Sequence, residues 1–422
     1  MLIHWIWYAT RSHLSDRTKA ELLTRFEDPE AIYFAGASDF EGIEGLSRDG
    51  AESLQDRDLG ESQRILTQCT DRKIGILTFQ DAAYPQRLKN IPDPPMVLYY
   101  KGRMPGVDSE PVVGIVGTRK ASLYGLTMAK RMGYQIASCG AVVVSGMASG
   151  IDGLAMQGAL TAGKSVIGVL GCGADVIYPR SNRALFADTE RYGCILTEFP
   201  PETPPLPANF PRRNRLISGL SCGVLVVEAP RRSGALITAR LAADQGRDVF
   251  VIPSNIDVES ARGSNELMRD GAMPVFSGWD VVREYEYQFP DRISCDRSGG
   301  DLEVSADEVR MSRRPAEKAA LSVAQPVRKP TGSAPKPDTD QKIPIDKTEE
   351  APYIDFTKIE KSLTSDEKTV IGLLAGGKKL TDDVIDQSGL PAPRVLACLT
   401  MLEIKGIVRR LPGRYLELAE RK

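Results

Sequence analysis

Short apolar runs recur along the middle of the chain, and helical patterns such as YGLTMAKRMGYQIAS (124–138) separate most of them. The runs lie at 112–116, 141–145, 165–170, 194–198, 223–229 and 248–253. Continuous apolar strands that alternate with helices are typical of a parallel sheet with both faces covered. Residues 106–290 are therefore predicted to form a doubly wound, mostly parallel α/β domain of Rossmann-like type.

The region before this domain, residues 1–105, mixes short helical patterns with loops and predicts a small helical domain with a connecting segment. Residues 74–79 (IGILTF) predict a strand. YPQRL (84–88) and PDPPMVLYYKG (92–102) predict an extended connection interrupted by prolines. The apolar N-terminal segment MLIHWIWYAT has no preceding basic residues and no small-residue cleavage site after it. It predicts a buried helix or strand rather than a signal peptide.

The region after the central domain divides into a linker and a final domain. Residues 291–355 are predicted to be a disordered linker, because the stretch 291–350 has no aromatic residue and contains six prolines. Residues 356–422 regain helical periodicity, with a capping-box spacing at Thr364 and Glu367. Three helical patterns and a hairpin around Pro412 and Gly413 predict a winged-helix domain.

Composition excludes several classes of chemistry. The only histidines are His4 and His13, so catalysis or zinc binding by histidine is excluded for the rest of the chain. The seven cysteines include no C-x-x-C pair, which fits a reducing cytoplasm. No run of 18 apolar residues is present, so no membrane span is expected. The net charge of −2 does not by itself indicate a nucleic-acid-binding protein, although a local basic patch is compatible with it.

The loops that follow the predicted parallel strands combine glycines with arginines. In an open parallel sheet, ligands bind beyond the carboxyl ends of the strands, where backbone N–H groups and helix N-termini favour anions. The ligand is therefore expected to be a polyanion, either a nucleotide or a nucleic-acid backbone; the alternative is that the glycines only make tight turns. The candidate residues in these loops are Gly117, Thr118, Arg119, Ser145, Gly146, Gly150, Arg180, Ser233 and Gly234.

A second cluster, FPRRNR (210–215), precedes the helical pattern NRLISGL and adds arginines and an aromatic ring. Arginine forks suit phosphates and an aromatic face suits an unstacked base. The alternative is a solvated basic turn with its aromatic residue in the core. The candidate residues are Phe210, Arg212, Arg213, Asn214 and Arg215.

Nucleotide cofactors have little support in the sequence. Residues 158–165 fit the P-loop pattern G-x-x-x-x-G-K-S, but a helix is predicted before them and a strand after them, the reverse of a P-loop. Lys164 would lie at the amino end of its strand, and Gly163 is read instead as a helix C-cap. No G-x-G-x-x-G is present. We expect no cofactor and no metal.

Taken together, a long ordered set of segments resembles the DprA/Smf family of DNA-processing proteins. The segments that carry the resemblance are 84–88, 94–102, 114–125, 144–160, 169–185, 210–229, 233–253 and 263–272. The resemblance implies an N-terminal domain of sterile-alpha-motif or helix-hairpin-helix type and a C-terminal winged helix. It also implies a cytoplasmic, non-enzymatic protein that binds and protects single-stranded DNA and loads the recombinase RecA during natural transformation. Asp152 and Glu198 would then orient arginines or cap helices rather than act as catalytic carboxylates.

Two alternatives remain open. The central domain would also suit a nucleotide-processing enzyme such as the lysine-decarboxylase-like phosphoribohydrolases, although PRRSGALITA (230–239) lacks the glutamate of their PGGxGTxxE signature. The second alternative is a winged-helix regulator with a ligand-sensing domain. Its candidate recognition helix, 393–405, offers only Arg394 and Lys405 as basic residues, so docking a protein is as well supported as reading DNA.

A homodimer is expected at the end of the central domain. The strand MPVF (273–276) closes the βα series and would lie at a sheet edge, which a two-fold partner can cover. The apolar contacts would come from Met273, Pro274, Val275 and Phe276, with Asn265 at the rim. The resemblance places a dimer contact in the same stretch; the alternative is that these residues seal the core of the monomer.

Overall fold

Among residues 1–294, nine strands form one sheet whose centre is parallel. Their order is β1-β2-β6-β5-β4-β3-β7-β8-β9, and β3 to β9 pair in parallel. The strands are β1 (Gly75–Thr78), β2 (Val97–Gly102), β3 (Val112–Val116), β4 (Val142–Ser145), β5 (Val166–Val169), β6 (Cys194–Thr197), β7 (Gly223–Val226), β8 (Asp248–Val251) and β9 (Met273–Pro274). The six predicted core strands and the edge position of β9 are confirmed.

The structure, a computed structural model, describes residues 1–294, 364–374, 377–391, 394–395, 398–399, 401–402, 407–411 and 415–418. The chain forms two compact units, 1–323 and 324–422. The predicted linker lies outside the described residues from 295 to 355. Residues 291–294, which were assigned to it, instead pack on the central domain: Ile293 is buried and the Ser294 N–H donates to the Cys139 carbonyl.

Helices cover both faces of the sheet, as continuous apolar strands require. One face packs against α7 (Leu123–Ser138), α8 (Ile151–Thr161), α9 (Arg183–Tyr192) and α13 (Gly278–Val282). The other packs against α6 (Gln86–Lys89), α10 (Asn209–Leu220) and α11 (Gly234–Asp244), while α12 (Arg262–Arg269) follows β8. The prediction of a doubly wound α/β domain is confirmed.

The segment read as an extended connection is part of this sheet. β2 pairs antiparallel with both β1 and β6, so the sheet is mixed and extends to residue 75. The backbone of β2 is extended as predicted, but its buried Val97, Leu98 and Tyr99 give it two packed faces. The domain limits at 105 and 290 stay predictions, although the sheet itself crosses residue 105.

Five helices precede β1 and pack as one layer against this end of the sheet. They are α1 (Leu2–Thr10), α2 (Asp16–Phe26), α3 (Pro29–Phe34), α4 (Arg48–Gln55) and α5 (Gly60–Asp71). The apolar segment at the start of the chain is the buried helix α1, whose Ile6, Trp7 and Tyr8 share a core with Met96 and Tyr99 of the β2 region. We call these five helices the N-terminal layer.

In the second unit, the described residues have the winged-helix arrangement that was predicted. α14 (Ser365–Leu374) and α15 (Thr381–Ser388) precede helical residues at 394–395, 398–399 and 401–402. β10 (Lys379–Leu380), β11 (Val408–Leu411) and β12 (Tyr415–Leu418) form a sheet in the order β10-β12-β11. The predicted capping box is present, because the Thr364 N–H donates to Glu367 and the Glu367 N–H donates to Thr364. Only β10 was not predicted.

Candidate nucleic-acid interface

A groove of about 660 Å³ opens at the carboxyl ends of β3 and β7. These strands are neighbours, and the chain fills one side of β3 with β4 to β6 before it returns to the other side with β7. The point at which the strand order reverses is where doubly wound sheets bind ligands. Of the predicted residues, the groove brings together Gly117, Thr118, Arg119, Phe210, Arg213, Asn214, Ser233 and Gly234.

The turn after β3 is fixed by backbone hydrogen bonds to the segment that follows β7 and to the start of α8. The Thr118 N–H donates to the Glu228 carbonyl beyond β7, and the Thr118 carbonyl accepts from the Ile151 N–H at the start of α8. The buried Glu228 carboxylate accepts from the N–H and hydroxyl of Ser122 and so holds the start of α7. The side chains that follow this turn therefore project from a rigid base.

Three exposed cations face the groove: Arg119, Lys120 and Arg232. None of them forms an ion pair with a described residue. The one exposed acid in the lining, Glu259, is paired with Arg262 at 2.8 Å. The groove therefore has an excess of positive charge that suits phosphates.

The start of α11 adds a polar end to the groove. Ser233 caps this helix by accepting from the Ala235 N–H, and Gly234 has open space where a side chain would be. The free N–H groups of a helix N-terminus attract anions. Ser233 and Gly234 therefore lie at this end of the groove, and their contact with a ligand stays a prediction.

Phe210 lies between two other side chains of the interface. The Arg119 guanidinium lies over its ring, 5.1 Å from the centroid, and the Tyr178 ring packs 5.5 Å away at 36°. Phe210 is half-buried, whereas Arg119 is exposed. The surface offered to a ligand is therefore the guanidinium plane of Arg119, with Phe210 as its support. We call Tyr178, Phe210 and Arg119 the stacked platform.

The glycines after β3 and β4 do not form an open backbone cradle, contrary to the prediction. A Cβ at Gly117 would lie 2.5 Å from Ile151, and one at Gly146 would lie 2.1 Å from the Arg213 guanidinium. Gly150 has a φ of +84° and its Cβ would approach the Thr118 carbonyl to 2.6 Å. At these three positions the glycines allow tight internal packing, a role different from both the ligand contact that was predicted and the tight turns that were the alternative.

Asp152 occupies the anion position at the start of α8. The backbone N–H groups of Gly146 and Ala148 bond to its buried carboxylate, and Arg213 and Arg119 interact with it electrostatically. Burial still raises the pKa of Asp152. The slot at this helix end is therefore filled from within the protein and is not free for a phosphate.

Arg213 is a buried structural cation rather than an exposed strand contact. It is 4% exposed, its guanidinium donates to the Val169 carbonyl at 2.6 Å, and burial lowers its pKa to about 10. Ser145 is also internal, because its hydroxyl donates to the Ile115 carbonyl and the residue is fully buried. Both were predicted to contact the ligand, and the structure places both beneath the surface of the groove.

Arg212 and Arg215 point away from the groove, toward the N-terminal layer. Each lies within 3.0 Å of both Asp16 and Glu198, so the four side chains form one ion cluster. Burial raises the pKa of Glu198 despite the two arginines. The prediction that these arginines line the strand site is not met by their orientation. Glu198 orients arginines, as expected.

The FPRRNR cluster starts a helix rather than preceding one. All six residues belong to α10. Phe210 and Asn214 face the groove, Arg213 faces the protein interior, and the other two arginines face the N-terminal layer. A helix distributes consecutive side chains around its axis, so these residues cannot face one ligand together. Arg180, the remaining predicted contact, is exposed beside the small slot that Gly146, Ser149 and Tyr178 line.

Several residues of the interface lie in the loops named from the sequence but were left out of the candidate set. Lys120 and Arg232 adjoin predicted residues in the chain, and their charge was a usable signal. Tyr178 was visible as the aromatic residue in the loop after β5. Ser149 gave no signal; its hydroxyl is buried and has no hydrogen-bond partner among the described residues, and it lines the slot beside the stacked platform.

The predicted dimer residues divide between the surface and the core. Phe276 is 72% exposed and Met273 40% exposed, and Pro274 is also exposed at the sheet edge. Val275 is buried in the core of its own chain, and the Asn265 amide bonds to the backbone of Ser254. An exposed apolar edge is present, but Val275 and Asn265 serve the fold of the monomer.

The described residues contain neither a metal-ligand cluster nor a membrane-spanning helix. No group of three or more His, Cys, Asp or Glu side chains in residues 1–294 or in the described part of the second unit is arranged to hold a metal ion. Over the same residues, no helix combines the length and the apolar character that crossing a bilayer requires.

Family models match both units of the chain. Residues 75–286 match the model of DNA recombination-mediator protein A, and residues 356–414 match that of the DprA winged helix domain. The first match begins at β1, so it includes the two antiparallel strands and leaves out the N-terminal layer.

Individual relatives agree with these matches. The chain is 45% identical to protein Smf of Synechocystis over 48% of its own length and 51% of the relative's, so it spans about half of that protein. It is 40% identical to the DNA processing protein DprA of Bacillus subtilis over 52% of its length and 74% of the relative's. The solved structure of DprA from Streptococcus pneumoniae aligns with a TM-score of 0.60 at 33% identity, covering 67% of this chain and 98% of that one.

Proposed function

Because the chain belongs to the DNA recombination-mediator protein A family, also called DprA/Smf, we propose that its central groove binds single-stranded DNA. The observation that carries the proposal is the excess of exposed, unpaired cations at the switch point of the sheet. Arg119, Lys120 and Arg232 would hold successive phosphates, with the start of α11 as a further anion site.

The stacked platform supports a preference for single strands. An exposed guanidinium plane offers a face on which an unpaired base can stack, and in a duplex the faces of the bases are already covered. Most of the contacts would be to phosphates, so binding would be largely independent of sequence and strongly dependent on salt.

We further propose that the groove binds without catalysis. Asp152 is engaged by backbone N–H groups and nearby arginines, and Glu198 by Arg212 and Arg215, so neither carboxylate is placed to transfer a proton. The proposal includes no cofactor.

A nucleotide-processing enzyme remains the second candidate, and one observation favours it. The groove lies at the switch point, and its volume of about 660 Å³ falls within the range of small-molecule sites. The winged-helix regulator has less support. Two of the basic residues that would contact DNA are paired with acids of the same unit, Arg394 with Asp366 at 2.6 Å and Arg409 with Glu417 at 3.7 Å.

A competition titration separates the two candidates. We expect a labelled single-stranded oligonucleotide to bind at least about tenfold more tightly than the same sequence as a duplex, in fluorescence anisotropy. Millimolar AMP should not displace the strand, because one phosphate recovers few of the ionic contacts. Equal affinity for strand and duplex would contradict the proposal, and displacement by AMP with turnover of the nucleotide would favour the enzyme.

The finer roles that the family resemblance implies are also proposals. The strand-bound protein would protect incoming DNA and hand it to RecA in the cytoplasm during natural transformation. The free cysteines among the described residues fit a reducing compartment. Delivery of a strand to a recombinase is consistent with contacts to phosphates, which leave the bases available for pairing.

We propose a homodimer through the exposed edge at β9. Phe276→Asp should convert a dimer to a monomer in light scattering at tens of micromolar, because it places a charge in an apolar contact. Binding to long strands should weaken more than binding to short ones, because avidity is lost. Phe34→Asp is the matched control, since Phe34 in α3 is 73% exposed, close to the 72% of Phe276. A monomeric wild-type protein would overturn the dimer.

A further inference from the structure

We propose that the N-terminal layer positions the strand-binding platform through α10, and that Asp16 is the positioning residue. The inference rests on the proposed binding of single-stranded DNA in the groove, but it concerns residues outside that groove. Asp16 begins α2, well before the region that matches the family model, and its carboxylate contacts two arginines of α10.

The start of α10 lacks the local interactions that usually stabilise a helix N-terminus. Its N-cap is Ala208, which supplies no side-chain hydrogen bond. Alanine is a poor N-cap compared with Ser, Thr, Asp or Asn. The first turns carry Arg212 and Arg213, and cations near a helix N-terminus are opposed by the helix dipole. The conformation of this segment must therefore be held by contacts with other parts of the chain.

Asp16 and Glu198 supply the negative charge that this helix end requires. Asp16 lies 3.0 Å from Arg212 and 2.8 Å from Arg215, and Glu198 lies 2.9 and 2.7 Å from the same two guanidinium groups. The Glu198 side chain is 2% exposed, and those of Asp16 and Arg215 are each 10% exposed. The Arg212 side chain is 51% exposed, so the well-shielded pairs are those of Arg215. These pairs are screened little by salt, and they fix the register and the direction of α10.

The same helix turn carries the groove's aromatic support. Phe210 is two residues before Arg212, and its ring supports the Arg119 guanidinium. A shift of the first turn of α10 would therefore move Phe210 and release Arg119 from its stacked orientation. Asp16 contacts Arg212 directly and Phe210 contacts Arg119 directly, and the backbone of α10 joins Arg212 to Phe210.

A second ion cluster joins the N-terminal layer to the sheet without touching α10. Arg72, the C-cap of α5, pairs with Asp175 and Glu202, in the loops after β5 and β6. Arg72→Gln therefore removes an ionic contact between the same two parts of the protein and provides a matched control. If the layer acted only through general stability, the variants at Asp16 and Arg72 would behave alike.

The test compares Asp16→Asn and Arg72→Gln in the full-length protein, using anisotropy with a labelled poly-thymidine oligonucleotide. We expect Asp16→Asn to weaken binding by about 3- to 10-fold, the range of couplings through packed networks. Asp16→Glu should restore most of the affinity, and Arg72→Gln should leave it unchanged. Ser15, the cap of α2, is retained in all variants, and thermal melting checks that each one is folded.

Double variants decide whether Asp16 acts through the platform. In a Phe210→Ala background, Asp16→Asn should have no further effect, because the support that it positions is gone. With Arg232→Gln, at the far end of the groove, the two effects should multiply. An Asp16→Asn effect that persists without Phe210, or an equal loss in Arg72→Gln, would overturn the inference. If wild type and Arg119→Glu bound the strand equally, the proposed function would have failed instead.

Discussion

Arg119→Glu is expected to lower the affinity for single-stranded DNA by about 10- to 100-fold, the loss of one charge-assisted contact. Arg119 is exposed, has no ion-pair partner among the described residues and forms the outer layer of the stacked platform. The variant also brings a negative charge toward the strand and near the buried Asp152. Loss of one phosphate contact should reduce the slope of log K against log salt by about 0.7.

Lys164→Glu is the control for this experiment. Lys164 precedes β5, so it lies at the amino edge of the sheet, opposite the groove, and belongs to the segment that mimics a P-loop. Its charge reversal changes the net charge by the same amount and should leave affinity and salt slope nearly unchanged. If Lys164→Glu weakened binding and Arg119→Glu did not, the DNA would bind at the amino edge of the sheet, and our proposal would have placed it at the wrong edge.

The sequence was informative about the strands because burial on both faces leaves a local signal. Each predicted run from 112–116 to 248–253 coincides with a strand to within a few residues, and the loops after β3 and β7 do meet in one groove. Parallel strands bring their carboxyl ends to the same edge of a sheet. Knowing which residues follow each strand in the sequence was therefore enough to predict that these loops meet. The false P-loop was excluded by the same reasoning.

The orientation of the FPRRNR residues was not predictable in this way. α10 starts without a capping side chain, so no local signal marks its beginning before Phe210. The partner that turns Arg212 and Arg215 away from the groove is Asp16, which lies about 200 residues earlier in the chain. A contact over that distance in sequence is fixed by tertiary packing and leaves no pattern in the segment itself.

Glycines in the loops posed a similar problem. Gly146 and Gly234 both follow strands, but only Gly234 has open space where a side chain would be. At Gly146 that space holds the Arg213 guanidinium, which is supplied by a helix later in the chain. Which glycine admits a ligand thus depends on what the rest of the fold places against it.

Arg213→Met is expected to lower the free energy of unfolding by about 3 to 5 kcal/mol, the usual cost of removing one partner from a buried charged set. The variant leaves the buried Asp152 with only the exposed Arg119 as a nearby cation, removes the donor to the Val169 carbonyl and removes the guanidinium that packs against Gly146. Denaturant unfolding followed by circular dichroism measures the change. Arg232→Met, an exposed cation of the same groove, should change stability by less than about 0.5 kcal/mol.

A second substitution separates this structural role from direct contact with the strand. Adding Asp152→Asn to Arg213→Met removes the carboxylate that has lost its buried cation, so part of the lost stability should return. The double variant, once folded, should keep its affinity for single-stranded DNA within about threefold of wild type, because neither removed charge is exposed. A stable Arg213→Met protein that had lost strand binding would mean that this arginine reaches the ligand. In that case the buried geometry would belong only to the unbound state of the groove.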